Sequence, residues 1–245
     1  SPGLAKRKSA LTLSRMVHFT LFGIPVYIRP SFWVVLAIFG GALSISSVED
    51  LIYPALFVIA GFVAILSHEM GHALVGRKLG GGQQTIVLEL FGGLTSSHGM
   101  QLTRGGRALM ILAGPMMTLL LGIISLGLTW NIVAPVMTSY NLNFWDLAIS
   151  PFTAALISPK LYILSCLIMI GEWWTILNLL PIYPLDGGQL IAQYIRSPRK
   201  VFMTGFITAI LIGLLSFQLF HGYFIPIFMA LFAYSNYREY KNAPF

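Results

Sequence analysis

Long apolar segments alternate with short polar ones along most of the chain. A helix needs about 20 mostly apolar residues to cross the hydrocarbon core of a bilayer, and six runs approach that length. The pattern predicts an all-α polytopic membrane protein with about six transmembrane helices. The predicted spans are residues 31–48, 51–75, 106–130, 160–180, 201–220 and 222–237.

Two stretches beside these spans have a different pattern, in which β-branched and apolar residues are interrupted by glycine or proline. Residues 83–97 contain a paired glycine and are predicted to form a hairpin. Val17 to Tyr27 is predicted to supply another extended piece. Such backbone is tolerated at membrane depth only against protein or a wet cavity. We therefore expect a small membrane-associated β-sheet on the cytoplasmic side, with a plain cytoplasmic loop as the alternative.

The composition agrees with a membrane protein. Hydrophobic residues make up 56% of the chain and charged residues 9%, whereas soluble domains are about one quarter charged. The net charge of +7 does not indicate a nucleic-acid partner, because the basic residues lie at the ends of apolar runs and do not alternate with aromatic side chains. The single cysteine, Cys166, excludes an intramolecular disulfide and a cysteine-based zinc site.

The positions of the basic residues predict the orientation. If the amino terminus is cytoplasmic, fourteen of the 15 Lys and Arg residues lie inside and only Lys160 lies outside, as the positive-inside rule requires. Both termini are then cytoplasmic. The connection 134–158 is then external, and we expect its aromatic residues at the membrane interface. These residues are Phe144, Trp145 and Phe152.

Residues 1–15 differ from the rest of the chain in being basic and polar. We expect a tail here, either native or left over from expression or processing. Residues 16–245 are expected to form a single membrane-embedded domain with a catalytic core at about 51–196. The first long apolar run lacks a small-residue cleavage pattern after it, so we expect it to be a retained span rather than a secretory signal.

The second predicted span contains the sequence His68-Glu69-Met70-Gly71-His72 near its end. Residues four apart lie on the same face of a helix, so the two imidazoles can bind one ion with Glu69 beside them. Ionisable groups are costly in a membrane helix unless they serve a function there. We therefore predict a zinc site within the membrane, nearer the cytoplasm. The alternative is a pair of histidines hydrogen-bonded to neighbouring helices.

A catalytic zinc ion usually has three protein ligands and one open position. Asp186 is the best third candidate, because Pro181 and Pro184 break the fourth predicted span there and the paired glycine after it lets the backbone approach closely. Glu172 is the competing candidate, although a protonated or hydrogen-bonded carboxyl is the better interpretation of it. Three other histidines have no partner at metal spacing and are expected outside the site. These are His18, His98 and His221.

These residue types predict peptide-bond hydrolysis. Zinc lowers the pKa of a bound water to about 7, and Glu69 is placed to take the proton and pass it to the leaving amine. A substrate helix hides its carbonyls in internal hydrogen bonds, so it has to be extended first, and the 83–97 hairpin can supply a binding edge by strand addition. Asn178 can bind the opened backbone. A hydrogen bond between helices is an equally good interpretation of Asn178.

Two stretches, residues 68–72 and 178–188, resemble the motifs of the site-2 protease family of intramembrane zinc metalloproteases. The resemblance extends from about Phe19 to Gln193. Further similarity lies in Gly23-Ile24-Pro25-Val26, Phe91-Gly92-Gly93 and Ala113-Gly114-Pro115.

The resemblance implies a role for each of these residues. One zinc ion per chain would be bound by His68, His72 and Asp186, with Glu69 as the catalytic base and Asn178 as a substrate contact. Further substrate contacts are expected around the strand that ends at Phe91. These are Leu90, Phe91, Gly92 and Gly93.

The resemblance also implies hydrolysis of a peptide bond in or near a transmembrane segment of a regulatory membrane protein, such as a membrane-tethered transcription factor or an anti-sigma factor. The chain is most similar to the sporulation-type bacterial and compact archaeal branches, which lack PDZ and CBS domains, and we expect a prokaryotic cell membrane. A non-proteolytic scaffold or a metal transporter with the same histidine pair is the alternative. Small residues in the third span would suit a homo-oligomer contact. These are Gly122, Ser125 and Gly127.

Overall fold

The computed structural model describes residues 16–90, 92–140 and 150–244. Within these residues the protein is mostly helical and has one small sheet, as expected. The elements are β1 (Val17–Leu21), β2 (Ile24–Ile28), α1 (Pro30–Phe39), α2 (Ile52–Gly80), β3 (Gln83–Glu89), β4 (Gly92–His98), α3 (Arg104–Tyr140), α4 (Pro151–Ala155), α5 (Pro159–Leu179), α6 (Asp186–Ala192), α7 (Pro198–Phe220) and α8 (Phe224–Asn242). The predicted tail 1–15, Phe91, and the predicted interfacial residues Phe144 and Trp145 lie outside the described residues.

Four of the described helices are long and apolar enough to cross a membrane, so the prediction of six spans is not confirmed. They comprise Glu49–Gly80, Arg104–Ala134, Pro159–Leu179 and Pro198–Leu219. The predicted span 31–48 is not confirmed, because α1 has only 10 residues, or about 15 Å of helix, half of the hydrocarbon thickness. The chain leaves the helix at Gly40 and Gly41, and Gly41 has a φ of 86°. Glycine does not interrupt an apolar run in a hydropathy pattern, so the pattern did not reveal the turn at these two positions.

The last predicted span, 222–237, corresponds to α8 but lacks the apolar length of the other four helices. The helix has 19 residues, and three charged side chains occupy its final two turns. These side chains are Arg238, Glu239 and Lys241.

The two predicted extended stretches do form one sheet, with the strand order β1-β2-β3-β4. A tight turn joins β1 to β2, and both of its residues, Phe22 and Gly23, have positive φ angles, as a two-residue hairpin turn requires. β2 pairs in parallel with β3, and β3 pairs with β4 in the predicted hairpin. The plain-loop alternative is therefore wrong. Among the described residues β4 is an edge strand, because it pairs only with β3.

The sheet packs on α1 and α2 through its two central strands. Alternate residues of β2 and β3 point to one face, and their buried side chains join residues of both helices in one apolar cluster. The cluster includes Ile24, Val26, Ile28, Ile86, Leu88, Phe32, Leu36, Ile65 and Met70. The sheet is thereby fixed to α2, the helix that carries the histidine pair.

Helices α2, α3 and α5 pack on one another, and α7 packs mainly on α8. A hydroxyl pair, Thr118 on α3 and Thr175 on α5, lies 2.7 Å apart in the first group. Ser158 caps the start of helix α5: its hydroxyl accepts a hydrogen bond from the amide of Leu161. Pro159 occupies the first turn of the helix. Its end at Leu179 is followed by the segment 180–185 and then by α6, as the two prolines predicted.

Candidate active site

The two motif histidines lie next to each other on the buried face of α2. His68 is 2% exposed and His72 is 9% exposed, and their Nε2 atoms are 3.1 Å apart. Nδ1 of His72 lies 2.8 Å from the backbone carbonyl of Met110. Since a carbonyl can only accept, Nδ1 carries a hydrogen, and in the neutral imidazole the Nε2 lone pair then points into the site.

Asp186, the first residue of α6, lies next to His68 and His72. These three potential metal ligands are called the metal group below. The Oδ2 atom of Asp186 lies 3.0 Å from His68 Nε2 and 3.3 Å from His72 Nε2, although no contact to this buried oxygen has hydrogen-bond geometry. A metal ion is bound by the ionised form of such a carboxyl group, and Oδ2 is the oxygen that faces both imidazoles.

The spacing of these three atoms fits a metal ion. Ligand atoms about 2.0 to 2.1 Å from a tetrahedral zinc ion lie about 3.3 Å from one another, and the three observed separations are 3.0, 3.1 and 3.3 Å. The lone pair of His72 Nε2 and the oxygen of Asp186 repel each other at such a distance unless a cation lies between them. The donor set of two imidazoles and one carboxylate is one that zinc accepts.

The other candidate ligands lie outside this group. Glu172 is exposed, which agrees with the choice of Asp186 over it. Among the described residues, only His68, His72 and Asp186 form a group of three or more potential metal ligands. The remaining histidines are exposed, as expected for residues outside the site. These are His18, His98 and His221.

Glu69 lies beside the metal group and is held by the sheet. It is 5% exposed, and the hydroxyl of Thr95 on β4 donates to its Oε2 atom over 2.7 Å. Gly93, on the same strand, packs directly on this side chain, since a Cβ at Gly93 would lie 2.2 Å from Glu69 Cγ. Strand β4 thus determines where the carboxylate lies.

Glycines on other elements allow the backbone to approach the ligands. A Cβ at Gly114 on α3 would lie 2.3 Å from His72 Nε2 and 2.9 Å from His68 Nε2. A Cβ at Gly187 would lie 2.1 Å from the carbonyl oxygen of Leu179. Only glycine leaves room for α3 to pass the imidazoles and for α6 to fold back against the end of α5.

Asn178 lies on the last turn of α5 and faces the same cavity. Its side chain is buried, and Nδ2 donates to the carbonyl of Trp174 over 2.9 Å. This bond lies within one helix and does not join α5 to another helix. An amide has a second N–H and an oxygen, which a ligand can use. A substrate contact at Asn178 stays a prediction.

The site opens into a cavity of about 820 Å³ between α2, β4, α5 and α6. Its lining includes the metal group, Glu69 and Asn178, together with three of the predicted substrate contacts. An apolar cavity of about 510 Å³ adjoins it, and the two share residues of β4, α5 and α8. The three predicted contacts are Leu90, Gly92 and Gly93.

Sequence reasoning missed Thr95, Met110 and the role of Gly114. Met110 contributes a backbone carbonyl, which no side-chain pattern can reveal. Thr95 is one hydroxyl in a polar strand, Thr95-Ser96-Ser97, and only the strand register distinguishes it from its neighbours. Gly114 belongs to the sequence Ala113-Gly114-Pro115, which carries part of the family resemblance. Small residues in a transmembrane span indicate close helix packing, and this signal could have identified Gly114.

Comparisons with known proteins agree with this geometry. Residues 56–220 match the model of Peptidase family M50. The chain is 29% identical over 227 residues to the zinc metalloprotease MJ0392 of Methanocaldococcus jannaschii, an alignment that covers 88% of this chain and 57% of the relative. The chain spans about half the length of the curated relatives it matches.

The fold also matches a solved structure, the site-2 protease from Methanocaldococcus jannaschii. The TM-score is 0.58 at 23% sequence identity, and the match covers 92% of this chain and 95% of the other. At this identity the match supports the arrangement of elements, and the family assignment rests on the matched residues 56–220. The chain belongs to peptidase family M50, the site-2 protease family.

Proposed function

We propose that this protein is a membrane-embedded zinc endopeptidase with one zinc ion per chain. The observation that carries the proposal is the buried triangle of His68, His72 and Asp186, whose ligand atoms lie 3.0 to 3.3 Å apart. A carboxylate, Glu69, adjoins this triangle in a cavity large enough for an extended peptide segment. Family membership and the metalloprotease name of the relative support the same activity.

Peptide-bond hydrolysis at such a site needs a Lewis acid, a base and a proton donor for the leaving amine. A bound zinc ion would polarise the scissile carbonyl and activate the attacking water. Glu69 takes the proton from that water and returns it to the leaving amine. Thr95 donates to Oε2 of Glu69 and so orients the carboxylate that handles the proton. The metal group and Glu69 are buried, which strengthens the electrostatic interactions among them.

The substrate is proposed to bind as an added strand at the edge of β4. In the part of the chain that the structure describes, this strand pairs only with β3, and it runs from Gly92, which lines the cavity of the metal group, to His98. Backbone hydrogen bonds along such an edge hold an extended peptide irrespective of its sequence. Leu90, Phe91 and Gly92 would contact the substrate at the start of the strand, and Asn178 would bind its backbone from the opposite wall.

The proposed location is an integral membrane position with the active site nearer the cytoplasm and both termini inside. Basic residues support this orientation, because they lie at the end of α2, at the starts of α3 and α7, and at the end of α8. They include Arg77, Arg104, Arg199 and Lys241.

The proposed substrate is a regulatory membrane protein cut in or near its transmembrane segment. The adjoining apolar cavity, whose lining includes Phe32, Trp173 and Phe228, suits the apolar side chains of such a segment. The partners are this substrate and the lipid bilayer, with no nucleic acid. Gly122 and Gly127 on α3 have open space where a Cβ would lie, which leaves that face available to a second copy of the chain.

A matched pair of variants tests the activity. Glu69→Gln removes the base and leaves the three ligands in place, so it should bind zinc like the wild type and lose cleavage. Glu49→Gln changes an exposed acid before α2 and should retain both. Zinc content would be measured by elemental analysis, and cleavage by dequenching of fluorophore-labelled single-span peptides in liposomes. Equal cleavage by the wild type and Glu69→Gln would refute the proposal.

A further inference from the structure

The segment that delivers Asp186 to the metal group is held by the last two helices. Residues 180–185 connect α5 to α6 and have no regular structure. Ile182, in the middle of this segment, is fully buried in a cluster with Ala209 of α7 and Met229 and Ala233 of α8. The position of Asp186 therefore depends on helices that contribute no metal ligand themselves.

One polar contact fixes this segment more specifically than the apolar cluster does. Asn236 on α8 is 1% exposed, and its Nδ2 donates to the carbonyl of Tyr183 over 2.7 Å. The same nitrogen donates to the carbonyl of Phe232, one turn earlier in α8, over 2.9 Å. Both N–H groups of the amide are used. The bond to Tyr183 reaches a residue only three positions before Asp186.

The surroundings of Asn236 are shaped to admit this amide. A Cβ at Gly205 on α7 would lie 2.3 Å from Asn236 Oδ1 and 3.3 Å from the backbone nitrogen of Tyr183. The oxygen Oδ1 is buried and has no hydrogen-bond partner among the residues that the structure describes. An unsatisfied buried oxygen lowers stability, so helix packing alone does not favour asparagine here. The part of Asn236 that matters for the metal group is the N–H that bonds the carbonyl of Tyr183.

We propose that Asn236 is a positioning residue for the metal ligand Asp186. The inference rests on the proposed metal site and assigns it a residue beyond the family match, which ends at 220. The bond from Asn236 holds the Tyr183 carbonyl against α8, and this fixes the start of α6. The carboxylate of Asp186 then meets the two imidazoles without having to be recruited by the ion. Loss of the bond leaves the ligand present but misplaced.

Two substitutions separate this role from a purely structural one. Asn236→Ser keeps a hydroxyl that can bond the carbonyl of Phe232 within the helix, but it is too short to reach Tyr183. Gly205→Ala leaves Asn236 in the chain and forces its amide out of place. The control is Asn131→Leu, because Asn131 makes the same kind of bond, to the carbonyl of Gly127 over 2.7 Å, on α3.

The experiment measures zinc affinity in purified, metal-free protein in detergent, by competition with a chromophoric chelator. We expect Asn236→Ser and Gly205→Ala to bind zinc about 10 to 100 times more weakly, the range found when a group that orients a metal ligand is lost. Asn131→Leu should bind zinc like the wild type. Thermal unfolding of the same metal-free samples records any change in stability.

The outcomes distinguish the inference from the proposed function. Wild-type protein that binds no zinc would overturn the metal site and this inference with it. Tight zinc binding by the wild type that both Asn236→Ser and Gly205→Ala retain would overturn the inference alone. A fall in unfolding temperature with unchanged zinc affinity would show a structural role and would also overturn it. A loss of zinc affinity at Asn236 and Gly205, but not at Asn131, supports it.

Discussion

Replacement of Gly93 by alanine tests whether strand β4 positions the base. The added Cβ would lie 2.2 Å from Glu69 Cγ and 2.6 Å from Glu69 Oε1, whereas carbon atoms in contact lie about 3.5 to 4.0 Å apart. Either the Glu69 side chain or the strand must therefore move by more than about 1 Å. A misplacement of about 1 Å in a reacting group can lower the rate about 100-fold.

The expected result for Gly93→Ala is a fall in kcat of about 100-fold with zinc content unchanged, because the three atoms nearest to a Cβ at Gly93 all belong to Glu69 and none to a proposed ligand. The assay measures cleavage of a labelled single-span peptide and zinc content on the same preparation. Gly105→Ala is the control, since a Cβ there meets nothing within 4 Å. A Gly93→Ala protein with the kcat of the wild type would refute the argument that β4 determines the position of the carboxylate.

Two further predictions concern single side chains of the site. Thr95→Val removes the 2.7 Å hydrogen bond to Glu69 and should lower kcat about 10-fold or more, since a hydrogen bond to a charged group contributes about 1.5 to 3 kcal/mol. Thr95→Ser keeps the hydroxyl and should have most of the wild-type kcat in steady-state kinetics. Equal rates for the valine variant and the wild type would contradict this prediction. Asp186→Ala should lose tight zinc binding, whereas Glu172→Ala, at an exposed position, should keep it. Elemental analysis after dialysis checks both, and zinc retained by Asp186→Ala would rule out the ligand set.

The metal group could be predicted because its chemistry follows from residue type and spacing. His68 and His72 are one helical turn apart, and the break at Pro181 and Pro184 marked the place where Asp186 approaches. The hairpin could also be predicted, since a paired glycine separates two strand-like stretches. Each of these features depends on sequence-local geometry, which periodicity and turn residues record directly.

Other features depend on contacts between distant segments. The short α1 was missed because Gly40 and Gly41 look apolar in a hydropathy count, although they end the helix. Thr95 contacts Glu69 only because β4 packs on α2. Asn236 contacts Tyr183 only because α8 packs on the segment before Asp186. Tertiary packing selects such residues, and one chain examined alone contains no signal for them.

The parallel pairing of β2 with β3 has a consequence for biosynthesis. The two strands are separated in the chain by α1 and α2, so β2 leaves the ribosome long before its neighbour and must wait until α2 has entered the bilayer. Strand β4, which contacts Glu69, is synthesised later still, and Asp186 comes after it. A nascent chain therefore cannot assemble the group of His68, His72 and Asp186 until residue 186 has been synthesised, because its members lie far apart in the sequence.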